Sequence, residues 1–362
     1  MRLLNFLFAS YIIFFSINAE GQDDKKLSYF SAEGFTMVGK IMNTQHTFHR
    51  IDTTEYAILP KHIKAKLICG AGLAISFVSN STSIHAKWCT NSTTTIAGMT
   101  PIAYRGLDLY IKRNGAWQFA GTGSPKNNEQ CGANKLIANL KEGEHEFLLY
   151  LPGYSEIQSL SIGIENNTTI SPGVNPFEKR ILVYGSSIVQ GAGASRPGLI
   201  YTSRLSRETG YNFLNLGMSG SAKMEKEVAD MVSEIPADLY ILDCVPNSHP
   251  DEITERTSYL VKTIRKKRPD APIIIMQSVI RESGYFDEKI GERVKSQNIN
   301  IYNEFKKLQN EGVDNLHFIF ADNFLGADHE GTVDGTHPND LGFDRIIQVI
   351  KPKILEVIDN KY

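Results

Sequence analysis

The pattern of hydrophobic and polar positions divides the chain into two halves with different rhythms. In the first half, short apolar segments rich in β-branched and aromatic residues alternate with Gly, Asn, Ser and Thr, and long helical periodicity is missing. This pattern predicts a β-sandwich over residues 28–170. The predicted strands are AKLICG, GLAISFVS, SIHAKWCT, LDLYIKR, WQFAGTG, HEFLLYLP and SLSIGIE.

The second half alternates strand-length apolar runs with helical segments. The runs are RILVYGS, FLNLG, DLYILDC, PIIIMQS and LHFIFA. Helices are predicted from Pro197 to Glu208 and near 222–234, 252–267, 287–308 and 341–358. Continuous apolar strands between helices predict an α/β domain with about five parallel strands covered on both faces. Two prolines and a glycine mark 171–180, SPGVNPFEKR, as a linker, so the α/β domain is expected over 181–362.

The N-terminus has the pattern of a secretory signal. A short positive start, Met1-Arg2, precedes an almost wholly apolar run that ends on the small residue Ala19. The run is shorter than the ~20 residues of a membrane-spanning helix. We therefore expect residues 1–19 to be a signal peptide, the protein to be secreted or periplasmic, and no stable membrane insertion.

The composition gives no reason to expect nucleic acid or a metal ion as a binding partner. The 362 residues are 41% hydrophobic and 22% charged with a net charge of −2, so nothing favours nucleic acid as a partner. An exported protein could pair its cysteines, which are Cys69, Cys89, Cys131 and Cys244. No two are spaced as a Cys-x-x-Cys zinc knuckle, and no metal site is expected. The pattern leaves the oligomeric state open.

Polar residues follow the predicted parallel strands where each strand ends. They lie in GSS (185–187), GMSG (217–220) and DCVPN (243–247), and DGTHP (334–338) follows the fifth strand. The carboxyl ends of parallel strands share one edge of the sheet, where ligands bind. These side chains are therefore expected to meet.

The residue types suit acyl transfer. A serine hydroxyl needs a base such as His337 to become a nucleophile, and a carboxylate such as Asp334 orients the imidazole from within one tight turn. The backbone amides of Ser187 and Gly220 and the side chain of Asn247 could donate to a tetrahedral oxyanion. This chemistry requires no metal or organic cofactor.

The four blocks, in this order, resemble those of the SGNH or GDSL-type hydrolases over residues 180–358. The subgroup with an Asp-Cys-x-Pro-Asn block also carries a β-domain with a Gly-x-Asp-Leu-Tyr motif, matched here by residues 106–110. The resemblance implies a flavodoxin-like three-layer domain after a jelly-roll-like β-sandwich. It also implies Ser187, His337 and Asp334 as the catalytic triad and Ser187, Gly220 and Asn247 as the oxyanion hole.

Two positions depart from the family pattern. Ser186 stands where the family has the Asp of Gly-Asp-Ser, and Ser248 stands where the third block ends in Asp. In addition, Val189 replaces the second Gly of a Gly-x-Ser-x-Gly elbow, which counts against the ordinary α/β-hydrolase fold.

Other residues compete for these roles. Gly217 is an alternative oxyanion donor, and Arg196 is interpreted as a solvated loop residue rather than a substrate contact. The competing histidines and carboxylates are His249, His329, Asp328, Glu330 and Asp340.

The sequence as a whole predicts a secreted serine esterase whose substrate is an acyl ester, with O-acetyl groups on polysaccharide as the first choice by fold-level analogy. The alternatives are a lipase or thioesterase of the same fold and a non-catalytic glycan-binding protein.

Overall fold

The computed structural model describes residues 26–126, 128–322 and 324–359. The predicted signal peptide lies outside these residues. The strands are β1 (Leu27–Ser31), β2 (Thr36–Val38), β3 (Ala74–Ser79), β4 (Ile84–Thr90), β5 (Leu107–Arg113), β6 (Ala116–Gly123), β7 (Cys131–Ile137), β8 (His145–Tyr150), β9 (Ile157–Glu165), β10 (Ile170–Pro172), β11 (Glu178–Gly185), β12 (Tyr211–Gly217), β13 (Leu239–Asp243), β14 (Ile273–Met276) and β15 (Leu316–Ile319). The helices are α1 (Lys61–Leu67), α2 (Pro101–Arg105), α3 (Ser187–Gln190), α4 (Tyr201–Thr209), α5 (Lys226–Glu234), α6 (Pro250–Lys267), α7 (Glu288–Asn310) and α8 (Asp340–Asp359).

The first ten strands form two antiparallel sheets. One has the order β1-β9-β4-β7; the other has the order β10-β3-β8-β5-β6, with β2 paired to β3. Side chains from both sheets, among them Phe77, Trp88, Phe147 and Ile162, form one buried core between them. Sheets that bury alternate residues in a shared core form a β-sandwich, as predicted.

The last five strands form a parallel sheet in the order β12-β11-β13-β14-β15. One face packs against α5, α6 and α7, and the other against α4 and α8, each with its own apolar cluster. The fully buried strands explain why the sequence shows unbroken apolar runs here. The prediction of a flavodoxin-like three-layer domain is confirmed.

The predicted strand AKLICG is wrong, because its first residues belong to helix α1 and the rest to the turn that follows. Ile63 and Leu67, spaced one helical turn apart, are buried. Together with Ile41 and Ile51 they join the apolar cluster on one face of the parallel sheet. Part of the first half of the chain therefore packs on the α/β layer.

A buried ion pair joins the β-sandwich to the α/β layer. The fully buried carboxylate of Asp108 on β5 accepts from Arg196 Nη1, at 3.0 and 2.8 Å, and from the Gly198 backbone N–H at 2.8 Å. Arg196 also donates to the Tyr110 hydroxyl at 2.7 Å. A Cβ on Gly198 would lie 2.4 Å from the Tyr110 ring. The Gly-x-Asp-Leu-Tyr motif therefore holds the loop that follows α3, and interpreting Arg196 as a solvated loop residue is wrong.

The cysteines are of two kinds. Cys89 and Cys131 are directly opposite on β4 and β7 and form a disulfide. Cys69 and Cys244 are buried free thiols.

No helix among residues 26–126, 128–322 and 324–359 is long and apolar enough to cross a membrane.

We predict that Asp108→Ala lowers the free energy of unfolding by about 3 kcal/mol, because Arg196 and the Gly198 N–H lose a buried acceptor. Urea denaturation measures this. Glu146→Ala is the matched control, because its ion pair with Lys112 remains partly open to solvent, with the Glu146 side chain 44% and the Lys112 side chain 33% exposed. The control substitution should lower the free energy of unfolding by at most about 1 kcal/mol. Equal effects of the two variants would contradict the structural role of Asp108.

Candidate active site

Ser187 begins the short helix α3 immediately after β11. The Ser186 side chain caps this helix by accepting from the Ile188 N–H at 3.2 Å. Gly185 is required at the strand end, because a Cβ there would lie 2.3 Å from Asp243 O on the neighbouring strand. The strand-to-helix turn therefore fixes Ser187 at the carboxyl edge of the sheet.

The loop carrying Asp334 and His337 is a closed turn. Thr332 pairs with Pro338 as an isolated bridge, and the Val333 N–H donates to His337 O at 2.9 Å. Gly193, after α3, approaches this loop so closely that a Cβ would lie 2.2 Å from Pro338 O. That close approach brings the histidine loop next to Ser187.

The three predicted triad side chains meet. Ser187 Oγ lies 2.9 Å from His337 Nε2, and His337 Nδ1 lies 2.7 Å from Asp334 Oδ2. The carboxylate selects the imidazole tautomer with its proton on Nδ1, which leaves Nε2 free to accept from the serine hydroxyl. Burial alone would raise the pKa of Asp334, but hydrogen bonds from the His337 N–H, the imidazole and the Thr336 N–H outweigh it and lower the pKa. Asp334 therefore remains a carboxylate near neutral pH.

The predicted oxyanion donors lie on adjacent loops. Among the described residues, neither the Ser187 N–H nor the Gly220 N–H donates to a protein acceptor. Asn247 Nδ2 donates to Met218 O at 3.3 Å, which uses one of its two protons and ties the third block to the Gly220 loop. Gly217, the alternative donor, is already engaged, because its N–H donates to Asn215 Oδ1 at 2.9 Å.

The competing residues have other partners. His249 caps helix α6, and His329 Nδ1 lies 2.7 Å from Glu282 Oε2. Asp328 pairs with Arg345, and Asp340 accepts from the Ser195 N–H and hydroxyl. Glu330 is exposed. The structure brings none of them to Ser187.

An apolar cavity of about 440 Å³, not predicted from the sequence, lies at the same edge of the sheet. It lies between α7 and the segment after β14, and its lining includes Ile280, Arg281, Tyr285, Val294, Tyr302 and Phe320. Arg281 also donates to Pro246 O at 2.9 Å, next to Asn247. Aromatic residues in the segments after β14 and β15, among them Tyr285 and Phe320, were the available sequence signal, but only the fold places them together.

In the described parts of the chain, no group of three or more His, Cys, Asp or Glu side chains could hold a metal ion.

Comparison with known proteins shows the family to which the chain belongs. Residues 178–355 match the GDSL-like lipase/acylhydrolase family, and residues 27–170 match the N-terminus of SGNH-hydrolase-type esterases. A protein from Bacteroides ovatus described as a GDSL-like lipase has 50% identity and a TM-score of 0.90, covering 92% of this chain and 98% of that one. The chain therefore belongs to the GDSL-like lipase/acylhydrolase family and is an SGNH-type hydrolase.

Two further structures share the fold at low identity. A salicylyl-acyltransferase from a tetracycline biosynthetic pathway has 18% identity and a TM-score of 0.72, covering 91% of this chain and 97% of that one. An acetyl xylan esterase from Butyrivibrio proteoclasticus has 12% identity and a TM-score of 0.57, covering 92% and 99%. No curated protein matches the chain.

A second carboxyl group, on the strand next to the turn that carries Ser187, is buried and does not contact His337. Asp243, at the end of β13, accepts from the Tyr201 hydroxyl at 2.9 Å. Burial raises the pKa of Asp243 to about 7, although the tyrosine hydrogen bond acts in the opposite direction. The folded state therefore binds this proton more tightly than the unfolded chain does.

We predict that Asp243→Asn removes one source of pH-dependent stability. The contribution of Asp243 to the free energy of unfolding is fully present below about pH 4, which is near the ordinary pKa of an aspartate. It is lost as the pH rises through about 7, the pKa in the folded state. The variant should therefore gain stability relative to the wild type between pH 4 and pH 8. Urea unfolding of both proteins across this range measures the difference, and parallel curves would contradict the prediction.

Proposed function

We propose that the protein is a secreted serine esterase that removes acetyl groups from carbohydrate. The observation that carries the proposal is the 2.9 Å contact between Ser187 Oγ and His337 Nε2, with Asp334 bound to the other ring nitrogen. This is the arrangement that activates a serine toward an ester carbonyl.

In the proposed reaction, Ser187 Oγ attacks the carbonyl carbon while its proton moves to His337 Nε2. The N–H groups of Ser187, Gly220 and Asn247 stabilise the oxyanion of the tetrahedral intermediate. His337 then protonates the leaving alcohol, an acyl-serine remains, and water activated by His337 releases the acid. Asp334 stabilises the imidazolium throughout.

Three observations support a carbohydrate substrate and a location of the protein outside the cytosol. The His337 and Asp334 side chains are 28% and 45% exposed, so a bulky polymer could reach the site. One protein of this fold is an acetyl xylan esterase, which makes carbohydrate a substrate class worth testing first. The Cys89–Cys131 disulfide suits an oxidising compartment outside the cytosol.

A second candidate function is hydrolysis of esters with larger apolar acyl groups, as in a lipase or thioesterase. The apolar cavity favours it, because Arg281 lines the cavity and also contacts the peptide next to Asn247. A volume of about 440 Å³ is large enough for a small apolar ligand group.

We predict that Ser187→Ala abolishes ester hydrolysis and labelling by a fluorophosphonate probe. Ser186→Ala is the matched control, since it removes the neighbouring hydroxyl and a helix cap worth about 1 kcal/mol but keeps the nucleophile. The control should still be labelled. Failure of the folded wild type to react with the probe would instead favour the remaining alternative, a glycan-binding protein without catalysis.

We predict that Asn247→Ala lowers kcat by about 10²–10³-fold, because a donor to the oxyanion acts mainly in the transition state. Steady-state kinetics on p-nitrophenyl acetate measure this effect. A loss of only a few-fold would remove Asn247 from the oxyanion hole.

A substrate panel separates the two candidates. Acetylated xylan and simple sugar acetates should be better substrates than p-nitrophenyl esters of eight or more carbons if the first proposal holds. If the wild type instead prefers the long-chain esters, and Val294→Trp within the cavity removes that preference, the second candidate function is favoured.

A further inference from the structure

The side chain of Gln190 joins the nucleophile helix to two other segments. Gln190 is the last residue of α3 and is fully buried. Its Oε1 accepts from the Ser219 N–H at 2.8 Å, and its Nε2 donates to Gly153 O at 3.0 Å. Both ends of the carboxamide are therefore engaged, one in the Gly220 loop and one in the segment after β8.

The contact with Ser219 holds the Met218–Ser219 peptide, which is next to the peptide that carries the Gly220 N–H. Gly220 has a φ of +71°, a left-handed conformation that glycine adopts without strain. A Cβ at Gly217, where the loop begins, would lie 2.2 Å from the Gln190 backbone nitrogen. The loop and the end of α3 are thus in direct contact, and the Gln190 carboxamide provides the hydrogen bond between them.

Residues from the first half of the chain brace the same loop. Tyr154 donates from its hydroxyl to Ser187 O at 3.2 Å. Arg50, which is fully buried, donates to Gly217 O at 3.0 Å and to Asn215 O at 2.8 Å. These contacts engage the backbone carbonyl of Ser187 and the carbonyls at the end of β12, which leads into the Gly220 loop.

We propose that Gln190 is a positioning residue through which the segment after β8 of the β-sandwich sets the Gly220 N–H for oxyanion binding. The inference rests on the proposed esterase function and assigns the first domain a part in catalysis. Gln190 acts through Ser219 and does not touch the reacting atoms. Because the oxyanion forms only after attack, misplacing its donor should affect the transition state and leave ground-state binding nearly intact.

The test is Gln190→Met, which keeps the volume of the side chain and removes both hydrogen bonds. We expect kcat on p-nitrophenyl acetate to fall about tenfold or more while KM changes less than about twofold. The second-order rate of fluorophosphonate labelling should fall in parallel, because phosphonylation also places charge on an oxygen facing these donors.

A matched control removes a similar bond elsewhere. Asn134 accepts from the Ser124 N–H at 3.0 Å within the β-sandwich, and Asn134→Leu should leave kcat unchanged even where the melting temperature falls. An equal loss in both variants, or a Gln190→Met loss confined to KM, would overturn the positioning role.

A second variant approaches the loop from the β-sandwich. Tyr154→Phe keeps the ring and deletes the hydroxyl that donates to Ser187 O, through which the segment after β8 contacts the residue that carries the Ser187 N–H donor. We expect kcat to fall several-fold at unchanged KM. This variant decides the matter if Gln190→Met does not fold. Wild-type rates in Tyr154→Phe would then overturn the inference. Lack of labelling in the wild type would overturn the esterase proposal as well, whereas fast labelling of both variants would overturn only the positioning role.

Discussion

The contact between Ser187 and His337 joins residues 150 positions apart, and the rest of the site depends on it. Two features of the fold make it possible. The parallel sheet brings the ends of β11, β12 and β13 to one edge. Glycines at 185, 193 and 217 then allow backbones to approach where a Cβ would overlap a neighbouring atom. The chemistry is therefore a consequence of sheet topology together with close backbone packing.

The β-sandwich is tied to the edge of the parallel sheet that carries Ser187 and is not a separate module. Asp108 on β5 holds the loop after α3 through Arg196 and the Gly198 N–H, and buried polar groups satisfied in this way resist separation. Thr100 reaches the same loop by donating to Ser195 O at 2.6 Å. Movement of the sandwich would therefore disturb the segment that follows the nucleophile.

The sequence predicted what depends on local pattern. The strands of the parallel sheet are unbroken apolar runs because both faces are covered, so β11 to β15 were all identified. The helix α3 was not predicted, since four residues have no period and their ends are fixed by Ser186 and by tertiary contacts. Gln190 carries no sequence signal either, because its importance lies in two backbone groups, at Gly153 and Ser219, that only the fold brings to it.

The substitution of Ser186 for the family Asp does not count against a reactive Ser187. Serine and aspartate are both good helix caps, because each offers a side-chain oxygen to the first backbone N–H groups of a helix. Ser186 makes this bond to the Ile188 N–H, and its own N–H donates to Asp243 O at 3.2 Å on the next strand. The turn that presents Ser187 therefore keeps its hydrogen bonds despite the altered motif, and the Ser187 hydroxyl remains within 2.9 Å of the His337 imidazole.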